Sequence, residues 1–535
     1  MFRNKSAYPV YLTIGNIPKE IRRKPSCRAY VLFGYLPTTR LENETNKASR
    51  RRQLANLYHA CMSQIFHPLK HAGEHGVFMT TGDGVTHRGH PLLACFVGDY
   101  PEQVLTTATF NRQCPVCPTL HDSLGEYNDD PVVLRDLDRV LDALDTFDLD
   151  PAGFLQVCKA VGVKPIVNPF WKDLPYAHIY RSITPDILHQ LYQGIVKHLL
   201  RWVIQASGAT EIDARCRRMP PNHNIRNFMK GISSLSRVTG QEHDQMCRIL
   251  IGLVIDIPLP GGLSNVRLIR AVRAVLDFLY LARYPVHTDE SLGLLDNALA
   301  QFHDAKDIFI DLGIRDAFNI PKLHFMRHYV MFIRLYGTTD NFDTSYTERL
   351  HIDFAKDAYA ATNHKDEFSQ MATWLERKEK IFRHKQYIKW KEGGSPVPSP
   401  RVEWQPPGLE LDRRLHMTEH PSVRAVLVDR LVEDYGATYF RAALARFTVL
   451  ANDANLSRAQ LEERLWSVRM PFRSLPVWHR IKYLHEDPAS RSTMTADSVH
   501  ARPSTTDSCG RRVPGRFDTV LVNEGTGGDT GIEGK

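Results

Sequence analysis

The run Leu92–Val97, closed by Gly98 and Asp99 and followed by Cys114-Pro115-Val116-Cys117, constrains this chain more than any other stretch. Read as a buried strand, the apolar run delivers Asp99 at its carboxyl end, where a carboxylate is held rigidly enough to ligate a metal. The two-residue turn between Cys114 and Cys117 lets both thiolates reach one tetrahedral ion. The chain has no second C-x-x-C, so that pair must take its other ligands from elsewhere. The combination predicts a metal-dependent phosphoryl-transfer core interrupted by a small zinc-stapled module.

Composition narrows the setting. The 535 residues are enough for one large core with insertions or for several domains, and 43% hydrophobic with 24% charged residues is an ordinary globular balance. Nine cysteines, an odd number and mostly scattered, argue for a reducing compartment. The most apolar helix candidate, Val266 to Leu281, carries Arg267, Arg270, Arg273 and Asp277, so no membrane span is expected. The first residues lack the apolar core of a secretory signal. A net charge of +8 permits a nucleic-acid partner without requiring one. The short runs Arg22-Arg23-Lys24 and Arg50-Arg51-Arg52 read as import signals, phosphate contacts or, more simply, solvated faces.

Strand signals come first. Tyr8–Gly15 and Ala29–Leu36 are rich in β-branched and aromatic residues, and Gly76–Thr80 and Leu92–Val97 read as two more strands around a Gly82–Gly84 turn. Lys47–Leu69 reads as helix. From about residue 134 the period becomes helical. Thr184-Pro185 looks like a helix start with Thr184 as the cap, and Leu188, Leu191, Tyr192, Ile195, Leu199 and Trp202 form one apolar stripe. Further helices are predicted at Met246–Ile255, Val266–Leu281, Ser291–Ile310, Ile320–Tyr336 and Ser345–Ala361. A Gly/Pro/Ser linker, Gly393–Pro400, separates them from a small helical segment around Ser422–Ala451. Beyond Glu486 the chain is polar, with Phe517–Val522 as its one strand candidate.

Strands, then a long helical block, then a helix carrying acids is the order found in nucleases with an RNase H-like core. Such cores hold two divalent ions about 3.5–4 Å apart on a few carboxylates. In the late helix Thr344–Lys356, Glu348 shares a face with His351 and Ala355, and it is the candidate helical carboxylate. The competing reading of Glu348 is an exposed acid paired with a neighbouring Lys or Arg.

The segments Ser6–Pro25, Gly98–Gln103, Thr184–Gly194 and Glu348–Asp353 together resemble the Plavaka transposases, fungal proteins of the Kyakuja–Dileera–Zisupton group related to CACTA elements. The resemblance runs with gaps from Lys5 to about Tyr483, and again at Pro514–Val522. It implies an α/β plus α chain: an incomplete RNase H-like mixed sheet in 1–103, a zinc-knuckle-like and helical insertion in 104–335, and a helix in 336–392 returning the glutamate to the core. A C-terminal helical segment in 401–485 and a largely disordered tail in 486–535 complete that division. The resemblance also implies Asp99 and Glu348 as catalytic acids with Mg²⁺ or Mn²⁺, DNA ends as the partner, self-association left open, and a nuclear location. The family's first catalytic aspartate lies on a strand preceding Tyr8–Tyr11, before Met1 here, so the expectation is a defective catalyst truncated at both ends. Asp83, in the Gly82–Gly84 turn, is the nearest substitute, against a plain Asx-turn reading.

Asp186 and His189 have a D-x-x-H spacing that resembles a signature shared by several cut-and-paste transposase superfamilies. They are the candidate partners that complete zinc coordination at Cys114 and Cys117, with His198 and His178 in reserve. The competing readings are a first-turn acid facing the helix dipole and a hydrogen-bonded, half-buried histidine. Lys322, His324, Arg327 and His328 read as a basic cluster, and Lys322, Arg349 and Lys356 as DNA contacts. Phe170, Trp171 and Trp202 read as core aromatics rather than base-stacking platforms. Two other classes stay in view: a non-catalytic, transposon-derived DNA-binding or interaction factor, and an unrelated zinc hydrolase, which lacks a compact ligand set such as H-E-x-x-H.

Overall fold

The computed structural model describes residues 6–394 and 414–518, apart from 82, 83, 129, 221, 223, 224, 454, 455, 466, 469–471, 488, 489, 507–509 and 511. Asp83 and most of the Gly393–Pro400 linker lie outside the described residues. The chain divides into two compact units, residues 1–218 with 228–405, and residues 219–227 with 406–535.

In the first unit, Tyr8–Thr13 and Tyr30–Leu36 pair antiparallel from Tyr8↔Leu36 to Thr13↔Tyr30, with a register shift at Val10/Tyr11. Aromatic side chains of this hairpin pack on the late helical segment. Tyr11 packs at a tilt on Phe354 and its hydroxyl lies 2.8 Å from His351 Nδ1, Tyr30 packs on Tyr346, and the Tyr35 hydroxyl donates to the Phe354 carbonyl. The run Arg22-Arg23-Lys24 is partly structural rather than a solvated face. Arg22 is buried and donates to Asn341 Oδ1 at 2.6 Å, and Arg23 pairs with Asp340 at 2.8 Å. These contacts tie the amino-terminal hairpin to the segment that precedes Glu348.

The helix predicted from Lys47 runs on to His75, capped by Asn46. The next two strands are Val77–Thr80 and Thr86–Gly89, a hairpin closed on itself. The apolar run Leu92–Val97 is not the buried strand expected. Only Phe96 pairs, in a parallel bridge to Ile183, and Leu92 is exposed. The sheets of this unit are two-stranded among the described residues, so its core is built mainly by helices. Phe66, Phe170, Trp171, Tyr180, Ile183 and Phe332 are among its buried members. Phe170, Trp171 and Trp202 are each buried, as core aromatics should be.

The apolar stripe Leu188–Trp202 is buried throughout. Its helix begins two residues later than Thr184 suggests: Asp186 is the cap, Ile187–Val196 is wound as π-helix, and Lys197–Ser207 continues as α-helix. Thr184 cannot serve as cap because its backbone and hydroxyl face Phe96. The helix Asn265–Ala282 keeps its predicted bounds within one residue, whereas Gly240–Val254 starts well before Met246 and Asp289–Ala305 stops short of Ile310, which lies in a separate turn of helix, Ile308–Asp311.

The second unit differs from its sequence reading in two places. Val423–Leu427 is a strand paired with Ser474–Val477, and helix begins only at Val428. Arg480–Asp487 and Ser490–Arg502 form the long inner strands of a four-stranded antiparallel sheet with Arg414–His416 and Arg516–Phe517, across the end of the expected helical segment 401–485 and into the expected tail from 486. Alternating Thr, Ser and charged side chains carry too little hydrophobicity to announce a strand, although backbone pairing does not require it.

Candidate functional site: an acidic pocket and a buried Cys/His cluster

One short bridge brings two distant acids together. Phe96 N–H donates to the Ser182 carbonyl at 2.8 Å, and the two segments run parallel from there. Each ends at an aspartate that caps a helix: Asp99 caps Tyr100–Thr106, and Asp186 caps Ile187–Val196. The buried Gln103 amide stitches the pair, donating to the Gly98 carbonyl at 3.0 Å and the Thr184 carbonyl at 2.8 Å. Asp99, Asp186, His189, Lys322 and Phe325 then line one pocket.

The two aspartates are not equivalent. Asp186 is buried, and its carboxylate accepts five hydrogen bonds. Oδ1 takes Leu188 N–H at 3.3 Å, Thr344 N–H at 3.1 Å and the Thr344 hydroxyl at 2.8 Å. Oδ2 takes His189 N–H at 2.7 Å and His189 Nδ1 at 2.8 Å. An ionised carboxylate offers about four lone-pair sites, so Asp186 is saturated. Asp99 is only half-buried and its Oδ1 takes the Glu102 N–H at 3.0 Å; among the described residues its Oδ2 has no hydrogen-bond partner.

His189 joins this network to the late helix. Its Nε2 lies 2.8 Å from Glu348 Oε1, and its Nδ1 also lies 2.9 Å from the Thr344 hydroxyl. Burial opposes the imidazolium, yet the hydrogen bonds to Asp186 and Glu348 outweigh it and push the ring up to about 10. Both ring nitrogens of His189 are thus engaged by carboxylates, Nδ1 by Asp186 and Nε2 by Glu348. Glu348 is 45% exposed at its side chain, and among the described residues its Oε2 has no hydrogen-bond partner. The helix Thr344–His351 that carries it passes into a π-wound segment, Ile352–Lys356. Both helices of the network therefore contain π-winding, a distortion found often at functional sites.

Lys322 completes the pocket. Its Nζ donates to the His189 carbonyl at 2.7 Å, and burial holds the amine below its usual range while Asp99 and Asp186 act in the opposite direction. Gly194 makes room for it: a Cβ there would stand 2.7 Å from Lys322 Cδ and 3.0 Å from the His189 carbonyl oxygen. Lys322 is thus a half-buried wall of the pocket. Arg349 pairs with Asp353 at 3.1 Å, one helical turn away, and Lys356 is exposed.

The cysteine pair finds different partners from those expected. Cys114, Cys117, His324 and His328 are all buried, and one donor atom from each lies within 4.8 Å of the others. Cys114 Sγ is 3.2 Å from His328 Nε2, and Cys117 Sγ is 3.1 Å from His324 Nε2. The hydrogen bond from Cys114 holds the Cys117 thiol far below its ordinary range, with His324 and His328 adding to it, while burial pushes Cys114 up and His328 down. Two sulfurs and two imidazole nitrogens form a set that suits zinc. Asp186 and His189 do not enter it, because every polar atom of both is engaged in the neighbouring network.

The sequence did carry this signal. His324 and His328 stand four apart, the H-x₃-H spacing of zinc sites, but 207 residues separate Cys117 from His324. The segment is also not one regular helix. Pro321–His324 is α-helical, Phe325–His328 is 3₁₀, and Tyr329–Tyr336 resumes the α form.

A second unforeseen element is the helix Glu367–Glu392. Most of it is exposed, including Arg377, Lys378, Lys380, Arg383, Lys385 and Lys389. Trp390 and Tyr387 are also exposed, and Arg28 lies 3.6 Å over the Phe382 ring.

Residues 1–203 match the family described as Plavaka transposase, and residues 399–529 match a domain of unknown function, DUF6830. No curated protein matches the chain. No helix among the described residues is long and apolar enough to cross a membrane.

Proposed function

From the match of residues 1–203 to the Plavaka transposase family, we propose that the pocket lined by Asp99, with Glu348 joined to it through His189, is a site of DNA strand cleavage and joining. The observation that carries the reading is the link from the pocket to the late helix. Asp99 lines the same cavity as His189, and His189 holds Glu348 through Nε2. We read the amino-terminal hairpin and the Phe96–Ile183 bridge as parts of an RNase H-like core, with the segment 104–335 inserted between its two acids.

The donor set fits a hard divalent cation. Asp99 Oδ2 and Glu348 Oε2 are carboxylate oxygens without a hydrogen-bond partner among the described residues, and oxygen ligands are what Mg²⁺ and Mn²⁺ take. Asp99 and Glu348 would hold the ion, which when bound supplies Lewis-acid activation of a phosphodiester and of the attacking oxygen. The rest falls to the chain. Asp186 and His189 act as a clamp, fixing the Glu348 carboxylate against the pocket from the first turn of a rigid helix. Thr344 closes the clamp from the glutamate's own helix. Lys322, facing Asp99 and Asp186, offsets part of the negative charge that the acids concentrate there. The exposed basic helix Glu367–Glu392 supplies a surface for the phosphate backbone, and a nuclear location follows from a DNA substrate.

Titration of Mn²⁺ into the full chain, read by electron paramagnetic resonance, tests the proposal. Binding should weaken at least tenfold in Asp99→Asn and in Glu348→Gln, and any Mn²⁺-dependent nicking of supercoiled plasmid should vanish with it. Undiminished Mn²⁺ affinity in both variants would overturn the assignment.

A further inference from the structure

We propose that Cys114, Cys117, His324 and His328 form a structural zinc site whose task is to fix two walls of the acidic pocket. The four donors arrive from both ends of a long insertion: a loop after the helix Tyr100–Thr106, and the broken helix Pro321–His328. In a tetrahedral site with Zn–S of about 2.3 Å and Zn–N of about 2.0 Å, neighbouring ligand atoms stand roughly 3.3–3.8 Å apart. The two sulfur–nitrogen contacts of 3.1 and 3.2 Å need to open only slightly to admit the ion.

The surroundings are those of a closed metal site rather than of packed thiols. Val116 N–H points at Cys114 Sγ at 3.4 Å, and the Thr119 hydroxyl lies 3.2 Å from Cys117 Sγ. Buried Arg135 clamps the loop by donating Nε and a terminal nitrogen to the Cys114 carbonyl at 3.2 and 3.1 Å. With all four donors buried, no position stays open to water or substrate, which is the mark of a structural rather than a catalytic zinc.

Both arms of the cluster touch the pocket. On one arm, the Tyr100 hydroxyl donates to the Gln113 carbonyl at 2.9 Å, and Gln113 adjoins Cys114. On the other, Lys322 and Phe325 flank His324 and line the pocket directly, and Gln190 donates to the Lys322 carbonyl at 3.1 Å. A 3₁₀ turn has poorer hydrogen bonds than α-helix, so the Phe325–His328 turn gains more from an external anchor than a regular helix would. Zinc binding is therefore coupled to the placement of Lys322 beside Asp99.

The test uses the full chain expressed in zinc-supplemented medium. Elemental analysis should find one zinc per chain, and Cys117→Ser and His328→Asn should each lose it. If those variants fail to fold, replacement of the metal in the wild-type chain by Co²⁺ should give the intense visible absorption of a tetrahedral thiolate-bound ion. A wild-type chain with no zinc, and no such spectrum with Co²⁺, would overturn the site. The coupling is read separately, as Mn²⁺ affinity at the acidic pocket. It should fall at least fivefold in zinc-depleted protein that retains its circular dichroism spectrum. Unchanged Mn²⁺ affinity there would refute the coupling, whereas Mn²⁺ binding that ignores Asp99 and Glu348 in zinc-loaded protein would refute the pocket assignment instead.

Discussion

Replacing Asp186 by alanine separates a clamp from a metal ligand by the sign of its effect. The carboxylate is buried and caps the helix Ile187–Val196 while holding Thr344 and His189. Loss of an N-cap removes about 1 kcal/mol, and each buried donor left without a partner adds about 1–3 kcal/mol. Stranding an imidazolium between these donors brings the sum to about 3–5 kcal/mol, the range for breaking one half of a buried ion pair. Asp186→Asn keeps a good cap and loses the charge, so about 1–3 kcal/mol is expected from the weakened His189 contact. The assay is urea unfolding by far-UV circular dichroism in magnesium-free buffer, with exposed Asp122→Ala as a control expected within about 0.5 kcal/mol of wild type. If Asp186 were instead a cation ligand crowded against Asp99, its removal in magnesium-free buffer would relieve repulsion and raise the midpoint. An unchanged or raised midpoint for Asp186→Ala therefore refutes the clamp. Because His189 holds Asp186 by one nitrogen and Glu348 by the other, Asp186→Ala and Glu348→Gln should also depart from additivity by about 0.5–3 kcal/mol.

Two further outcomes follow from other parts of the molecule. His59 is buried, stacked on Phe170, with Nε2 on the Leu105 carbonyl and Nδ1 unpartnered; burial pushes the ring down to about 4. The unfolded chain takes this proton near pH 6.5 and the folded chain refuses it, so the stability is whole above 6.5 and lost as pH falls through 4, by roughly 3 kcal/mol at most. His59→Gln should flatten the pH dependence of unfolding between 6.5 and 4 by about one proton, and an unaltered slope would contradict the buried neutral ring. On the basic helix, the triple change of Arg377, Lys385 and Lys389 to Ala should weaken DNA binding. It should also lower the slope of log affinity against log salt by about 2–3, since each phosphate contact contributes roughly 0.9; an identical slope would remove this helix from the interface.

What was legible in the sequence was local. The hairpin Tyr8–Leu36, the helix from Lys47 and the buried stripe Leu188–Trp202 follow from strand composition and helical period, which the packed chain preserves. Leu92–Val97 misled for a physical reason: a short apolar run has no period that fixes its structure, and here only Phe96 found a partner and none of the six residues is buried. Cys114-Pro115-Val116-Cys117 announced a metal loop, whereas its companions were hidden by chain separation. His324 and His328 read as basic in a sequence containing Lys322 and Arg327, yet the fold turns both rings into the core. The long basic helix escaped because its apolar residues are too dispersed to form a stripe; Ile381, Tyr387 and Trp390 are all exposed.

Asp99 and Asp186 show why donor count, more than residue type, assigns the acids of this pocket. Both follow a short extended segment, both cap a helix, and the Phe96–Ile183 bridge places them side by side. A spacing argument cannot distinguish them, and D-x-x-H makes Asp186 look the better ligand. The backbone decides otherwise. Asp186 sits where two helix starts converge, its own and that of Thr344–His351, so their first-turn donors consume its lone pairs. Asp99 caps a single isolated helix and spends one oxygen on it. The same convergence engages both oxygens of Asp186 and, through His189, links it to Glu348, remote in sequence. In the site we propose, the D-x-x-H pair holds a ligand still, and the carboxylates that bind the ion are the two with an oxygen free of hydrogen bonds among the described residues.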